Sequence, residues 1–475
     1  MQMFESLKYP EVQLPEFPDY EVSITEFGAV EGGTVSNTEA FNGAISAVSR
    51  AGGGRVVVPA GIWLTGPITL LSNVNLYTEY GAVVLFTHDE SEYPLIKTSY
   101  EGEDRIRALS PIHAKGAENI ALTGNGIFDG NGQLWRMYKR SKLTNAQWAQ
   151  LLRRGGVTKG EGEREVWFPS QSSYDGHMNK DIKPDEDNAL ERAKAYFDYY
   201  RPVMVSLISC KKVLIDGVTL QNSPAWNVHP LFCEHFTLQN ATIRNPWNAQ
   251  NGDGLDLESC KYANIINTSF DVGDDAICMK SGKNAAARKI AVPTEYVTIR
   301  DCIVYHGHGG FVVGSEMSRG MRNIRVENCT FMGTDIGIRF KSTLGRGGVV
   351  QDIVLDGIKM VDIPKQAILF TMAYSGALDE QLIEPEDIPE FKNIVIKNTT
   401  CQGCGQAIQV DGLSQLPIHD LYFRDSFFAA RNGVRLERAS DIHFERVTVE
   451  REGNASERVT LDQTQQDGFK CMMWE

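Results

Sequence analysis

Four segments decide how this chain folds: NGDGLDLESC at 251–260, GDDAICMKSG at 273–282, HGHGGFVVGS at 306–315 and GTDIGIRFKS at 333–342. Aligned on Ser259, Ser281, Ser315 and Ser342, they occupy the same place in one sequence repeat. The repeat extends in both directions. A short apolar triplet is followed by a second apolar or β-branched run whose last member lies five residues on: Val213-Leu214-Ile215 then Val218-Thr219-Leu220, and Phe236-Thr237-Leu238 then Ala241-Thr242-Ile243. The phrase returns at Ile265/Phe270, Ile299/Val304, Val326/Phe331, Leu355/Met360, Ile396/Cys401, Phe423/Phe428 and Phe444/Val449, with an earlier copy at Leu122/Ile127. Copies are mostly twenty-odd residues apart and spread where loops are inserted, the signature of stacked short strands. One rung cannot bury its apolar face alone. The expected fold is therefore all-β, a single-stranded right-handed parallel β-helix of about ten rungs, with an N-terminal capping helix and a partly helical insertion.

The cysteines test the register. Cys210, Cys233 and Cys260 each precede the last triplet residue by five, and Cys302 and Cys329 each follow it by three. Equivalent positions in neighbouring rungs stack roughly 4.8 Å apart, so ladders of like side chains are expected. A disulfide wants converging Cβ atoms at about 3.8 Å, and only Cys401/Cys404 approach the spacing of a zinc pair. The nine cysteines are expected to be reduced, buried and structural, with no metal and no cofactor.

At 475 residues, with 42% hydrophobic and 23% charged residues, the chain has an ordinary globular composition. No run approaches the 18 or more apolar residues of a membrane span. A net charge of −14 argues against nucleic acid and requires that any anionic ligand be held by a local cluster of cations. The opening MQMFESLKYPEVQLPEFPDY has neither a basic n-region nor an apolar h-region. A periplasmic or secreted protein whose signal peptide lies outside this sequence is expected, with the cytoplasm, which reduced cysteines suit, as the alternative.

Residues 1–20, with Pro10, Pro15 and Pro18, read as an extended arm ahead of a catalytic β-helix domain over 21–475. Ser36-Asn37-Thr38-Glu39 has the form of a capping box. Ala40, Phe41, Ala44, Ile45 and Val48 then fall on one helical face until Gly52–Gly54, giving a helix that would cover the raw sheet edge. RVVVPAGIWLTGPITLLSNVNLY starts the strands. The repeat breaks at about 133–200, where Thr144–Arg154 and Asp185–Tyr200 read as helices separated by loop. An insertion this long is more often functional than idle. A C-terminal cap is expected at about 450–475, with Met473 and Trp474 packed down.

The aligned segments place Asp253, Asp275, Gly309 and Ile336 in one column and Gly252, Asp274, His308 and Asp335 in the next. Arg339 stands opposite Cys278, and Lys341 opposite Lys280. A lone Asp after Gly is commonly a turn residue, which is the reading for Asp335; Asp256 is expected to pair with a neighbour. Convergence in register lifts the rest above that reading. Carboxylates this close raise one another's pKa, which suits an acid that keeps its proton beside a base that does not.

These residues resemble a known family. NGDGLD, GDDAICMKSG, GHGG and RFK are similar to the NTD, DD, GHG and RIK motifs of glycoside hydrolase family 28, the polygalacturonases and related pectin hydrolases, and most similar to its bacterial exo-acting members. Gly252 replaces the motif's Thr or Pro, and Phe340 its Ile. The resemblance extends to GGGRVVVPAG, TGPI and NSPAWNVHP. It implies Asp274 as general acid, Asp253 and Asp275 as the carboxylates that activate water, His308 as support for the acid, and Arg339 with Lys341 as the clamp on a galacturonate carboxylate. Lys280 is a further groove candidate, and Trp226 and His229 are read either as groove residues or as packing. Hydrolysis with inversion is implied, for which the carboxyls are expected roughly 6.5–9.5 Å apart. The expected partner is an acidic, pectin-derived polysaccharide or oligosaccharide. Because the insertion precedes the catalytic rungs and carries Trp135, Trp148 and Trp167, it is expected to wall off one end of the groove and impose exo cleavage. Another pectin backbone or branch (rhamnogalacturonan, xylogalacturonan), a calcium-dependent lyase on the same fold, and a non-catalytic adhesin are the alternatives.

Overall fold

A single apolar residue per turn tracks the architecture. Leu122 pairs with Ile215, Leu238 with Ile265, Ile265 with Ile299, Ile299 with Val326 and Val326 with Leu355, all in parallel strands and all buried. The computed structural model describes residues 5–179, 182–374 and 383–465. Within them the chain winds as a parallel β-helix with three strands per turn, for example Glu234–Gln239, Thr242–Arg244 and Leu255–Glu258. The second position of the phrase fills the same interior: Ile243, Phe270, Val304, Phe331 and Met360 are buried.

The stack begins earlier than the first copy visible in the sequence. Glu21–Ser23, Gly54–Val58 and Val74–Thr78 pair in succession ahead of Glu118–Gly124. In these turns the second strands, Gly61–Thr65 and Ala82–Phe86, follow at other intervals, so the five-residue phrase is missing. At Leu122 the interval is likewise longer, and Phe128, not Ile127, pairs with Leu220 in the core.

Between the first and second strands of several turns the backbone enters the left-handed region, at Asn240 (φ 53°), Asn267 (φ 46°), Asp301 (φ 57°) and Asn328 (φ 51°). Asn and Asp tolerate that conformation best among residues with a side chain. Stacking then lets each amide bond its neighbour: Asn267 Nδ2 donates to Asn240 Oδ1 at 2.8 Å, and Asn328 Nδ2 to Asp301 Oδ1 at 2.6 Å. The cysteine ladders form as expected. Cys210, Cys233 and Cys260 are buried and free, and burial pushes the Cys233 thiol well up, which leaves it unreactive. Cys471, Met473 and Trp474 lie outside the described residues.

Helix Thr38–Arg50 covers the N-terminal end with Phe41, Ala44, Ile45 and Val48 buried. The capping box read at Ser36 is not formed. Asn37 is the N-cap, and its amide is spent on the carbonyls of Val30, Val35 and Leu64, while Ser36 bonds Glu92. Tertiary contacts thus take the groups a capping box would use. The arm lies along the outside of the stack: Tyr9 meets Tyr296 edge-on, Arg325 sits over the Tyr9 ring, and Gln13 N–H reaches His235. At the other end Asn454–Gln465 runs antiparallel to Ala439–Arg451 and pairs the last sheet edge.

Two excursions leave successive turns on the same side. The first carries the antiparallel hairpin Leu95–Tyr100/Glu103–Ala108, which the sequence reading missed. The second is the insertion. Its helix Asn145–Leu152 has a complete capping box between Thr144 and Gln147, and Ala189–Ala193 continues into the turn Lys194–Tyr199. Between them, where loop was expected, Gln171–Met178 is helical, and Val157–Lys159 and Val166–Phe168 form a small antiparallel sheet with Tyr138–Lys139 from ahead of the first helix. Polar composition concealed that helix, whose Gly176 presses against Tyr199 so closely that a Cβ would lie 2.3 Å from the tyrosine. No helix among the described residues is long and apolar enough to cross a membrane.

Candidate active site

Strand register brings the expected residues together. Asp256 pairs with Cys278, Cys278 with Val312 and Val312 with Arg339; Asp275 pairs with Gly309 and Gly309 with Ile336. Side chains from four consecutive turns therefore share one patch. The glycines keep it flat. A Cβ on Gly310 would lie 2.5 Å from the Phe331 ring, and one on Gly252 2.6 Å from Ala249 Cβ, so the departure at Gly252 accommodates a tightly folded loop.

Asp253 and Asp275 lie in the floor at 4% and 2% exposure, whereas Asp274 is half-buried and faces the groove. One oxygen from each of the three carboxylates lies within 4.8 Å of the others. Asp274 and Asp275 are consecutive, and Asp253 comes from the adjacent, hydrogen-bonded turn.

Their electrostatics differ. Burial alone would raise Asp275, but Lys341 and Arg339 hold it well below the usual carboxylate range. Lys341 Nζ stands 2.6 Å from Asp275 Oδ2 and Arg339 Nη1 3.6 Å from Oδ1. Asp253 feels only the weaker pull of Lys280. Burial pushes its carboxyl well up, and Asp256 and Asp274 push it further. Asp256, fully buried, is also raised by burial, against the pull of Lys280.

His308 Nδ1 lies 3.1 Å from Asp274 Oδ1, as the column required. His306 turns away, stacking on Trp247 at 4.1 Å and bonding the Val272 carbonyl. Asp335 pairs with Lys365. Lys280 belongs to the floor: its ammonium sits 3.4 Å from Asp256, 3.3 Å from Glu316 and over the Trp226 ring. Trp226 and His229, for which groove and packing were both open, are buried. Tyr100 of the hairpin covers Trp226 at 4.4 Å, and His229 beneath it is paired with buried Glu258 at 2.9 Å. The hairpin absent from the sequence reading is the reason.

Three residues escaped that reading. Tyr374 places its ring 5.1 Å from Lys341 Nζ and 5.7 Å from Arg339 Cζ. Lys142, from the insertion, brings Nζ to 3.5 Å from His308 Nε2. Lys283 donates its N–H to Gly102 O at the hairpin tip, and its ammonium approaches Glu103 at 3.4 Å. Lone lysines in polar loops carry no period, so only the fold reveals them. The insertion thereby reaches the site at His308, and the hairpin tip meets the loop that follows Lys280. Asp253, Asp274 and Asp275 could offer three oxygens to a cation, and Lys341 with Arg339 already supplies positive charge at Asp275.

Residues 191–430 match the family model described as Glycosyl hydrolases family 28. The crystal structure of a hyperthermoactive exopolygalacturonase from Thermotoga maritima superposes with a TM-score of 0.77 at 31% identity, covering 96% of this chain and 97% of that one. A probable polygalacturonase of Vitis vinifera is 29% identical over 87% of this chain and 75% of its own length. An exo-poly-alpha-D-galacturonosidase of Dickeya chrysanthemi is 29% identical over 84% of this chain and 65% of its own.

Proposed function

The chain belongs to glycosyl hydrolase family 28, and from that premise we propose that it hydrolyses α-1,4-linked galacturonate in pectin or oligogalacturonides, from the non-reducing chain end and with inversion. The observation that carries this reading is the pairing of a groove-facing Asp274, held by His308, with a floor Asp275 pinned by Lys341 and Arg339. Asp274 donates the proton to the leaving oxygen. His308 orients it. Asp275, kept ionised by its two cations, is the charged member of the pair that activates water, and Asp253 holds that water through its buried carboxyl.

A covalent route would need a carboxylate free to attack, with the two carboxyls about 5–5.5 Å apart. Anchoring argues otherwise. Asp275 is nearly inaccessible and bonded to Lys341, and Asp253 is buried with its carboxyl pushed up by that burial, so neither is free to attack an anomeric carbon. A water placed between them is the available nucleophile.

Arg339 is the cation for a uronate carboxylate: it is partly exposed, stacked toward Tyr374 and only loosely paired with Asp275. A planar guanidinium reads a carboxylate through two bonds, which a neutral sugar cannot satisfy. Exo action is supported by the contact Lys142–His308, which brings the insertion onto the groove beside Asp274. A periplasmic or extracellular location, where pectin fragments occur, goes with that substrate.

Product analysis on polygalacturonate tests the whole reading. Mono- or digalacturonate as the sole early product, with viscosity falling slowly, is expected. A ladder of mixed oligomers at early times, with a rapid viscosity drop, would show an open groove.

A further inference from the structure

The short middle strands of four neighbouring turns end in a polar column. Asp129 closes Ile127–Asp129, Gln221 closes Thr219–Gln221, Arg244 closes Thr242–Arg244 and Asp271 closes Ser269–Asp271, each paired with the next in parallel register. Such side chains stack roughly 4.8 Å apart. Gln221 Nε2 donates to Asp129 Oδ2 at 2.6 Å, and Arg244 Nε to Gln221 Oε1 at 2.9 Å, so the column is tied together. None of these residues belongs to the catalytic floor.

Trp247 stands beside Asp271. It is 60% exposed yet fixed on two sides: its ring lies flat on His306 at 4.1 Å and 7°, and its Nε1 donates to Asp271 Oδ1 at 2.6 Å. An indole held this way has little side-chain entropy left to lose, and its free face is a platform for the C–H face of a sugar ring. Trp247, the column and the start of the insertion line one open cleft of 550 Å³, within the roughly 300–1,000 Å³ typical of small-ligand sites. Arg136 and Tyr138 line this cleft, whereas Met137 between them lines a different cavity together with Tyr100. The segment is a wall with a cleft on either side, and the one at Trp247 is separate from the one at Tyr100.

The polar groups of the cleft are only partly spent. Fully buried Arg136 leaves its Nε without a partner, and Asn248 leaves a buried Oδ1 without one. Among the described residues the terminal nitrogens of Arg244 make no hydrogen bond or ion pair. Charges in the lining balance, with Asp129 and Asp271 against Arg136 and Arg244. A uronate here would meet carboxylates on both sides of Arg244. Hydroxyl groups, which both donate and accept, suit a lining of amides, carboxylates and free donors.

We infer that this cleft is a second saccharide-binding site, which takes a neutral, hydroxyl-rich sugar packed on Trp247 and bonded to Arg244, Asn248 and the column. Neutral sugars are the chemistry of branches on an acidic polysaccharide backbone, so the cleft gives the enzyme a hold on branched substrate apart from the catalytic groove. The inference goes beyond the proposed hydrolysis and is independent of whether cleavage is terminal or internal.

Calorimetric titration of the turnover-deficient Asp274→Asn protein tests it, with xylotriose, galactotriose and arabinotriose as neutral probes and trigalacturonate as the acidic one. At least one neutral trimer is expected to bind with a Kd of about 1 mM, and equally well when trigalacturonate fills the groove. Adding Trp247→Ala should weaken that binding about tenfold or more, and Trp247→Phe, which keeps the stacked ring but not the bond to Asp271, should recover part of it. With Asp274 in place, Trp247→Ala should raise KM on polygalacturonate bearing neutral branches and leave trigalacturonate turnover near wild type, which shows that the enzyme is folded. No saturable binding of any neutral trimer, binding that survives Trp247→Ala, displacement by trigalacturonate, or an equal loss on branched and unbranched substrates would overturn the inference. Failure of the wild-type enzyme to hydrolyse polygalacturonate would overturn the proposed function instead and leave neutral-sugar binding at Trp247 standing.

Discussion

Lys341 reaches Asp275 across a strand of glycine. The two residues lie on turns separated by the strand Gly309–Val313, yet Nζ and Oδ2 stand 2.6 Å apart in a nearly water-free floor. A Cβ on Gly309 would lie 3.6 Å from Asp275 Oδ1 and 3.7 Å from Arg339 Cβ, so any larger side chain would fill the space between carboxylate and cations. The GHGG run is therefore what allows charges from non-adjacent turns to meet. It also explains why Asp275 stays ionised where burial would protonate it.

Removing Arg339 should damage charged substrates selectively, whereas removing Lys341, which also keeps Asp275 ionised, should slow neutral substrates as well. Lys341→Ala or Arg339→Ala is expected to lose about 2–5 kcal/mol in transition-state binding on oligogalacturonides, the range for truncating one partner of a buried charge pair. Neutral aryl glycosides supply the comparison. An equal, small loss on both substrate types would show that the cations do not read the uronate.

Asp274→Asn keeps shape and hydrogen bonding but has no proton to give. Turnover should fall about 10²–10⁴-fold while binding of trigalacturonate, measured by calorimetry, is retained. A variant keeping more than a tenth of the wild-type rate removes Asp274 from the acid role.

Stereochemistry separates water attack from covalent attack. Inversion at an α-linkage releases the β-anomer first, so the β-anomeric proton of the product should grow in before mutarotation when hydrolysis is followed by proton NMR. Initial appearance of the α-anomer would mean that a carboxylate attacks directly, in spite of its anchoring.

The periodic part of this molecule was legible because a stacked fold repeats its constraints. Ile265, Ile299 and Val326 are buried for the same reason in consecutive turns, and the column that placed His308 beside Asp274 is the same register read on the opposite face. What the sequence concealed lies where no period operates. Tyr100 covers Trp226 from a hairpin that breaks the repeat, so groove and packing were both open for Trp226, which is buried. Lys142 sits in an excursion whose position depends on tertiary packing, and nothing in its neighbours marks it. The Ser36 box failed for a related reason: a local motif was outbid by longer-range bonds to Asn37.

Asp253 should make the enzyme less stable at neutral pH. Its folded carboxyl is raised by burial and by Asp256 and Asp274, while in the unfolded chain it titrates near about 3.9. Above that pH the unfolded chain releases a proton that the folded chain still holds, so stability falls as pH rises towards the folded value. Asp275 has the opposite sign: its contribution is present above about pH 4 and is lost on acidification through its depressed folded value. Asp253→Asn removes the first effect only, and leaves Asp256 freer to ionise beside Lys280. The variant should be inactive or nearly so, yet more stable than wild type by about 0.5–2 kcal/mol at pH 7, the usual gain when a strained functional group is replaced. Near pH 4 the difference should shrink towards zero. Denaturant unfolding at the two pH values measures it, and a variant that is less stable at pH 7 than at pH 4 relative to wild type would mean that Asp253 is ionised and paired in the folded protein.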